Sequence, residues 1–297
     1  MSAEGQPNLR EIHDLFVEIA NKAGEMITKA HPLVNGVDSK KNSSDLVTET
    51  DRAVELMVST ALREKYPGYE FMGEETYQPG MVLTDAPTFI VDPIDGTVNF
   101  VHSFPFACIS LGFAIGRRPV VGVVYNPFTN TLYSAIQGHG AFLNRTTRLP
   151  LKGDASEPLA GLNSALIAVE WGSDRSGVNF DTKVRTFASL GTSPEHGGAM
   201  VHSMRSMGSA ALNLCTVASG VLDLYWECGC WAWDVCAGWV ILAEAGGIMV
   251  GGTPGVWDAK VDSRKYLAIR GSPNGAGQRE IAEEFWSHIK GEIDYSH

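Results

Sequence analysis

Two long stretches of this chain contain neither lysine nor arginine. Residues 66–116 and 206–259 hold none, although the full sequence has 23 basic residues in 297. Both stretches are rich in apolar residues, yet both carry acids. The first holds Glu70, Glu74, Glu75, Asp85, Asp92 and Asp95; the second holds Asp223, Glu227, Asp234, Glu244 and Asp258. Any fold that buries these segments brings carboxylates toward its core without a local counter-ion. Two carboxylates about 5 Å apart repel by on the order of 3 kcal/mol at an effective dielectric of about 20, and burying them unpaired costs more. Such acids need protons, cations from elsewhere in the chain, or bound metal. A cluster of oxygen ligands suits hard cations, Mg2+ first.

The rest of the composition narrows the field. A chain that is 44% hydrophobic and 19% charged is an ordinary globular protein, neither disordered nor collagen-like. Its length allows one large domain or two smaller ones. A net charge of -11 argues against a nucleic-acid binder built on phosphate contacts. No apolar run reaches the roughly 18 residues of a membrane helix; the best, 239–252, is broken by Glu244 and two glycine pairs. The first residues lack the basic start and apolar stretch of a signal peptide, so the expected location is cytoplasmic, with no membrane partner. Five cysteines in that setting do not suggest a disulfide framework. Cys228, Cys230 and Cys236 cluster without C-x2-C spacing or a neighbouring histidine, so they read as small packing residues rather than a zinc site.

Periodicity predicts a helix over Leu9–Ala30, a polar loop over 35–45, and a second helix opened by Thr48-Glu-Thr-Asp51 and running to Tyr66. Glu70-Phe-Met72 and Thr88–Val91 read as strands, and 107–144 as an antiparallel meander. The best seam is 152–158. Beyond it, strands are expected at Leu162–Val169, Val221–Trp226, Ile248–Gly251 and Tyr266–Arg270. They alternate with helices at Asp181–Leu190, Ser209–Ala218, Asp234–Ala245 and Gln278–Ile289. The chain thus reads as an α+β half, about 1–152, joined to an α/β half, about 153–297.

Several acids have both a chemical and a structural reading. In Asp92-Pro-Ile-Asp95-Gly-Thr97 a buried strand ends at Asp92, Pro93 halts pairing, and a tight turn at Gly96 brings both carboxylates to one side. With the Ile94 carbonyl and the Thr97 hydroxyl they form a plausible cation pocket; they also suit turn and cap roles. Glu74 can turn inward while Glu75 faces solvent. Asp234 opens a helix, where the macrodipole alone accommodates it. Asp51 fits the third position of a capping box with Thr48, and Glu227 falls at a strand end. The sequence has no P-loop, no G-x-G-x-x-G, no G-x-S-x-G and no H-E-x-x-H.

Val91-Asp-Pro-Ile-Asp-Gly-Thr97 with Trp233-Asp-Val-Cys-Ala-Gly238 resembles the two signature motifs of the inositol monophosphatase family. Asp45-Leu-Val-Thr-Glu-Thr-Asp51, Gly73-Glu-Glu75, Asn99-Phe-Val-His102, Gly138-His-Gly-Ala-Phe142, Arg205-Ser-Met-Gly-Ser209 and Glu244-Ala-Gly-Gly247 follow in family order, so the likeness spans about residues 9–271. It implies a single unit of the sugar-phosphatase type, an α+β fold layered α/β/α/β/α, with an antiparallel sheet in the first half and a mixed sheet in the second. It further implies a Mg2+-dependent, Li+-sensitive phosphatase, usually a homodimer, with two or three Mg2+ per site. Carried over by motif, the metal ligands are Glu74, Asp92, the Ile94 carbonyl, Asp95 and Asp234. Asp51 and Thr97, with Glu74, hold and activate the attacking water. Gly96, Thr97, Ser173, Gly208, Ser209, Ala210, Glu227 and Asp234 face the substrate. The motifs contain no catalytic His or Cys, which fits in-line attack by water.

Two positions depart from the family pattern. Between Glu227 and Asp234 the family often has a histidine, where this chain reads Cys-Gly-Cys-Trp231-Ala-Trp, and Asp174 follows Gly172-Ser173. The expected reaction is hydrolysis of myo-inositol monophosphates. The alternatives are the same chemistry on another sugar phosphate, histidinol phosphate or a nucleotide bisphosphate, and a non-catalytic metal-binding sensor or scaffold.

Overall fold

The computed structural model describes residues 7–30, 48–153 and 156–295, and the backbone of two short strands, β1 (Asp38–Ser39) and β2 (Leu46–Val47). The apolar stripe of the first segment forms α1 (Leu9–Lys29), which buries Ile12, Phe16, Ile19, Ala23 and Ile27; Asn8 accepts the Glu11 amide at 3.2 Å as its N-cap. Thr48 and Asp51 close the expected capping box at the start of α2 (Glu49–Lys65). The loop expected over 35–45 lies outside the described residues except at β1, which pairs antiparallel with β2. The Asp45 end of the Asp45–Asp51 motif also lies outside them.

The first half builds a seven-stranded sheet. Its strands follow chain order: β3 (Glu70–Gly73), β4 (Thr88–Asp95), β5 (Cys108–Ile115), β6 (Arg118–Asn126), β7 (Thr131–Ile136), β8 (Ala141–Leu143) and β9 (Thr147–Arg148). It is antiparallel apart from the parallel β3–β4 pair. One expectation needs correction here. Strand β4 does not stop at Asp92; it runs through Pro93 to Asp95, with a register shift against β5 between Asp92 and Asp95. Proline has no N–H to give the ladder, and a bulge is where a sheet tolerates it. After it, Gly96 opens a short helix, α3 (Thr97–Val101), that periodicity did not predict.

The second half builds a five-stranded mixed sheet. Its order is β11 (Ser203–Arg205), β10 (Leu166–Val169), β12 (Leu224–Cys228), β14 (Lys265–Ile269), β13 (Ile248–Gly251), with β11–β10–β12 parallel and β12–β14–β13 antiparallel. Residues 162–164 form a 3-10 turn rather than the start of β10. Strand β12 begins and ends later than expected, because 219–223 are taken up by the turn after α5 (Ala210–Ala218). Asp223 in that turn accepts the Leu166 amide at 2.8 Å and pairs with Arg270 at 2.6 Å. Helix α4 (Gly177–Gly191) starts a turn earlier than expected; α6 (Ala232–Glu244) and α7 (Gln278–Ser287) fall close to expectation.

Three apolar clusters define the layers. Helices α1 and α2 cover one face of the large sheet. Helices α5 and α6 fill the space between the sheets. Residues of α4 and α7 cover the outer face of the small sheet. This is the α/β/α/β/α order. Helix α6 approaches β5 and β6 so closely that a Cβ on Gly112 would meet Cys236 Sγ at 2.5 Å, and one on Gly122 would meet the Ala237 carbonyl oxygen at 2.3 Å. Cys236 is therefore a small residue in a tight helix-on-sheet contact. Among the described residues no helix is long and apolar enough to cross a membrane.

Candidate active site and metal centre

The bulge of β4, its end at Asp95 and the first turn of α6 meet between the sheets. Asp92, Asp95 and Asp234 each place a carboxylate oxygen within 4.8 Å of the others. Asp92 and Asp95 are buried and Asp234 is half-buried. Each is aimed by its own contact. The Ile94 amide donates to Asp92 at 3.0 Å; the Ser209 hydroxyl and Ala211 amide donate to one oxygen of Asp95 at 2.5 and 2.8 Å; the Trp231 amide donates to Asp234 at 2.5 Å. No ion pair among the described residues reaches any of the three. Other acids of the two basic-free stretches are satisfied where they stand. Thr84 donates to Glu70 at 2.7 Å, Arg117 pairs with Asp85 at 2.9 Å, Lys260 pairs with Asp258, and Glu244 accepts the Gly138 and Gly140 amides at 2.8 and 2.7 Å.

The cost of this cluster appears in its proton affinities. Burial, then repulsion from Glu74, Asp95 and Asp234, holds Asp92 well above the carboxylate range. Burial, then Asp95 and Glu74, does the same to Asp234. Asp95 is pushed up to about 6 by burial, against the pull of its Ser209 and Ala211 hydrogen bonds.

Asp51 and Thr97 join this cluster from α2 and α3. One Asp51 oxygen accepts the Thr48 amide at 2.9 Å and caps α2, while the other lies 3.3 Å from the Thr97 hydroxyl. That hydroxyl is also 3.0 Å from the Ile94 carbonyl oxygen. The capping role and the site role thus belong to two oxygens of one side chain. Asp51 is 1% exposed, and burial pushes it up to about 6. Gly96 between the motif acids and Thr97 has φ +88°, and a Cβ there would lie 2.9 Å from the Phe106 carbonyl oxygen; only glycine fits. Glu74 follows β3, its amide donating to the Val91 carbonyl at 3.2 Å. Glu75, expected to face solvent, is half-buried like Glu74, and its amide is held by Glu55 at 2.7 Å.

A cavity of about 670 Å³ opens beside the cluster. It is lined by Glu74, Asp95, Gly96, Thr97, Ser173, Gly208, Ser209, Ala210, Glu227 and Asp234, while Asp51, Asp92 and Ile94 sit behind its wall. Glu227 is the last residue but one of β12, opposite Tyr266, close to the expected strand end. The Tyr225 hydroxyl donates to it, and burial followed by repulsion from Glu170 pushes it up to about 8.

Sequence reasoning missed three features here. Glu170 is buried, and one of its oxygens accepts the Met207 amide at 2.7 Å, the Gly208 amide at 2.9 Å and the Asn213 side-chain amide at 2.8 Å, which fixes the entry to α5. It lies outside both basic-free stretches, so nothing in charge spacing marked it. Lys183 is 1% exposed on the inner face of α4; a lysine in register with Thr186 and Leu190 was the available signal. The third is an aromatic wall. Trp231 stacks on Trp233 at 5.2 Å, Tyr77 lies 5.1 Å from each, and the Arg264 guanidinium covers Trp231 at 3.6 Å.

The chain is similar to known proteins in sequence and in fold. The model of the inositol monophosphatase family matches residues 8–290. Inositol monophosphatase 2 of Saccharomyces cerevisiae is 48% identical, with 97% of this chain and 98% of that protein covered. The protein qutG of Emericella nidulans is 40% identical over 98% of this chain and 96% of its own length. Among solved structures, the extragenic suppressor protein suhB of Bartonella henselae superposes with a TM-score of 0.75 at 28% identity, covering 95% of this chain and all of that one.

Proposed function

The chain belongs to the inositol monophosphatase family and is a phosphoric monoester hydrolase, and on that premise we propose that it hydrolyses myo-inositol monophosphates to inositol and phosphate with Mg2+ held by Glu74, Asp92, Asp95, Asp234 and the Ile94 carbonyl. The observation that carries this is the trio of carboxylates within 4.8 Å of one another and without an ion pair among the described residues. The fit to a metal is chemical. The donors are all oxygen, they are desolvated, and their mutual repulsion is relieved by divalent positive charge, which suits a hard cation. Two or three Mg2+ are expected there. When bound, Mg2+ neutralises the phosphoryl oxygens and the leaving alkoxide and makes water more acidic.

The chain's own residues do the rest. Asp51 and Thr97, 3.3 Å apart, orient the attacking water. With its affinity raised to about 6, Asp51 is mostly ionised near neutral pH yet basic enough to take up the water's proton; Glu74 assists. Gly96 and Thr97 lie toward the phosphate, and the Gly208–Ser209–Ala210 entry to α5 faces the cyclitol. Ser173 and Glu227 face the cyclitol hydroxyls, with Asp234 at the boundary. Li+ inhibition, a cytoplasmic location, a homodimer and a single unit over 1–297 with halves meeting near 152 complete the proposal.

A second reading keeps the chemistry and changes the alcohol to another small phosphate ester. The wall of Tyr77, Trp231 and Trp233 favours it, since it lines the cavity and removes an apolar part of an alcohol from water. Phosphate release from inositol 1-phosphate and a panel of other esters, with and without Mg2+, ranks the two. Metal-dependent release from inositol 1-phosphate is expected to lead. Release from none, with metal bound, leaves a non-catalytic metal-binding scaffold.

A further inference from the structure

We propose that Lys183, held by Tyr295, is a positioning residue that fixes the spacing of two neighbouring loops, after β10 and after β12, that line the substrate cavity. This rests on the reading that the cavity receives the ester. A buried ammonium is stable only when each of its donors is used. Lys183 Nζ donates to the Cys228 carbonyl at 2.6 Å, the Trp171 carbonyl at 3.1 Å and the Tyr295 hydroxyl at 3.0 Å. The two carbonyls lie at the loops that follow the neighbouring parallel strands β10 and β12. Trp171 leads into Gly172 and Ser173; Cys228 ends β12 and leads into Gly229 and Trp231. One ammonium therefore ties both loops together. Gly172 fits this arrangement: its φ is +62°, and a Cβ there would lie 3.0 Å from Nζ.

Tyr295 completes the tie. Its hydroxyl donates to Asp174 at 2.7 Å, and its ring packs on Gly229, where a Cβ would come within 2.8 Å of the ring. The segment carrying it is strapped onto α4. Asn179 exchanges hydrogen bonds with the Asp294 backbone at 2.7 and 2.8 Å, and Thr182 donates to the Glu292 carbonyl at 2.8 Å. None of these groups contacts the carboxylate trio, so the tie acts on the placement of the alcohol and leaves metal binding alone.

Tyr295→Phe tests this with the ring retained; Lys183→Met is the stronger variant, and if it fails to fold Tyr295→Phe decides. For inositol 1-phosphate, Tyr295→Phe is expected to raise KM about fivefold with kcat within about twofold, the scale of one lost hydrogen bond. With 4-nitrophenyl phosphate, whose alcohol has no hydroxyls to place, kcat/KM stays within about twofold, and the Mg2+ half-saturation is unchanged. Trypsin should also nick the exposed Arg175 bond faster in the variant. Unchanged KM and unchanged nicking overturn the proposal, and so does an equal loss on both esters in step with a lowered Tm. If the wild-type protein cleaves no ester, the proposed reaction falls, and the nicking rate at Arg175 alone decides the tie.

Discussion

Asp95 shows how one side chain can be structurally satisfied and still electrostatically costly. Two donors fill one of its oxygens, yet Asp92 and Asp234 crowd it. Asp95→Asn keeps the size and an acceptor for Ser209 and Ala211 but removes a negative charge. Activity is expected to fall at least ~10³-fold, the scale of removing a principal charge-stabilising group. Stability in chelator should rise by a few degrees in Tm, and Asp234→Asn should behave likewise; unfolding of these variants in chelator would return the acids to a structural role. Gly96→Ala is the contrasting case. A Cβ at φ +88°, 2.9 Å from the Phe106 carbonyl, should cost about 2 kcal/mol or more and displace Thr97, lowering both Tm and kcat. The motif acids were legible because Asp92, Asp95 and Asp234 stand in unusual spacing where no basic residue is near. Glu170 and Lys183 were not, because their importance comes from contacts across 37 and 45 positions of sequence that no local pattern encodes.

At the level of elements, periodicity located most helices and the meander, and erred where a backbone special case intervened. Strand β4 passes Pro93 through a bulge, and the bulge lies between Asp92 and Asp95, whose carboxylates share one cluster. Helix α3 is too short to show a period; it is fixed by Asn99, whose side-chain amide reaches the Phe106 and Met207 carbonyls at 2.8 and 2.6 Å. The Gly138–Phe142 and Glu244–Gly247 motifs, far apart in sequence, turn out to be one joint. Glu244, in the last turn of α6, accepts two amides of the β7–β8 turn. A carboxylate there works against the helix dipole, so the turn must more than compensate. Glu244→Ala is expected to cost about 2 kcal/mol, two charge-assisted hydrogen bonds less what water restores. Denaturant unfolding should show that loss while kcat and KM stay at wild-type values; a drop in kcat would place this joint within the catalytic machinery.

Over the whole molecule, the large sheet supplies Glu74, Asp92 and Asp95, the middle helices supply Asp234 and the Ser209 turn, and the small sheet supplies Glu227. The trio therefore staples the two halves together only if its charge is balanced. Without metal, protons must do this, and the sign of the pH dependence follows. Asp95 titrates near 3.8 when unfolded and at about 6 in the fold, and Asp92 and Asp234 are displaced in the same direction. A carboxyl with a raised folded affinity binds its proton more tightly when folded, so it favours folding at low pH. That contribution fades as pH rises from about 4 through about 6, and beyond for the other two, the reverse of an ion-paired aspartate. Glu227, raised to about 8, extends the same trend upward. Protein in chelator should therefore lose Tm steadily between about pH 5 and about pH 8. Saturating Mg2+, which binds the deprotonated acids, should restore stability increasingly as pH rises. The gap in Tm between the two conditions, measured by scanning calorimetry across that range, is expected to widen with pH; a chelated protein that gains stability over the same interval would mean that the carboxylates are balanced by something other than protons or metal.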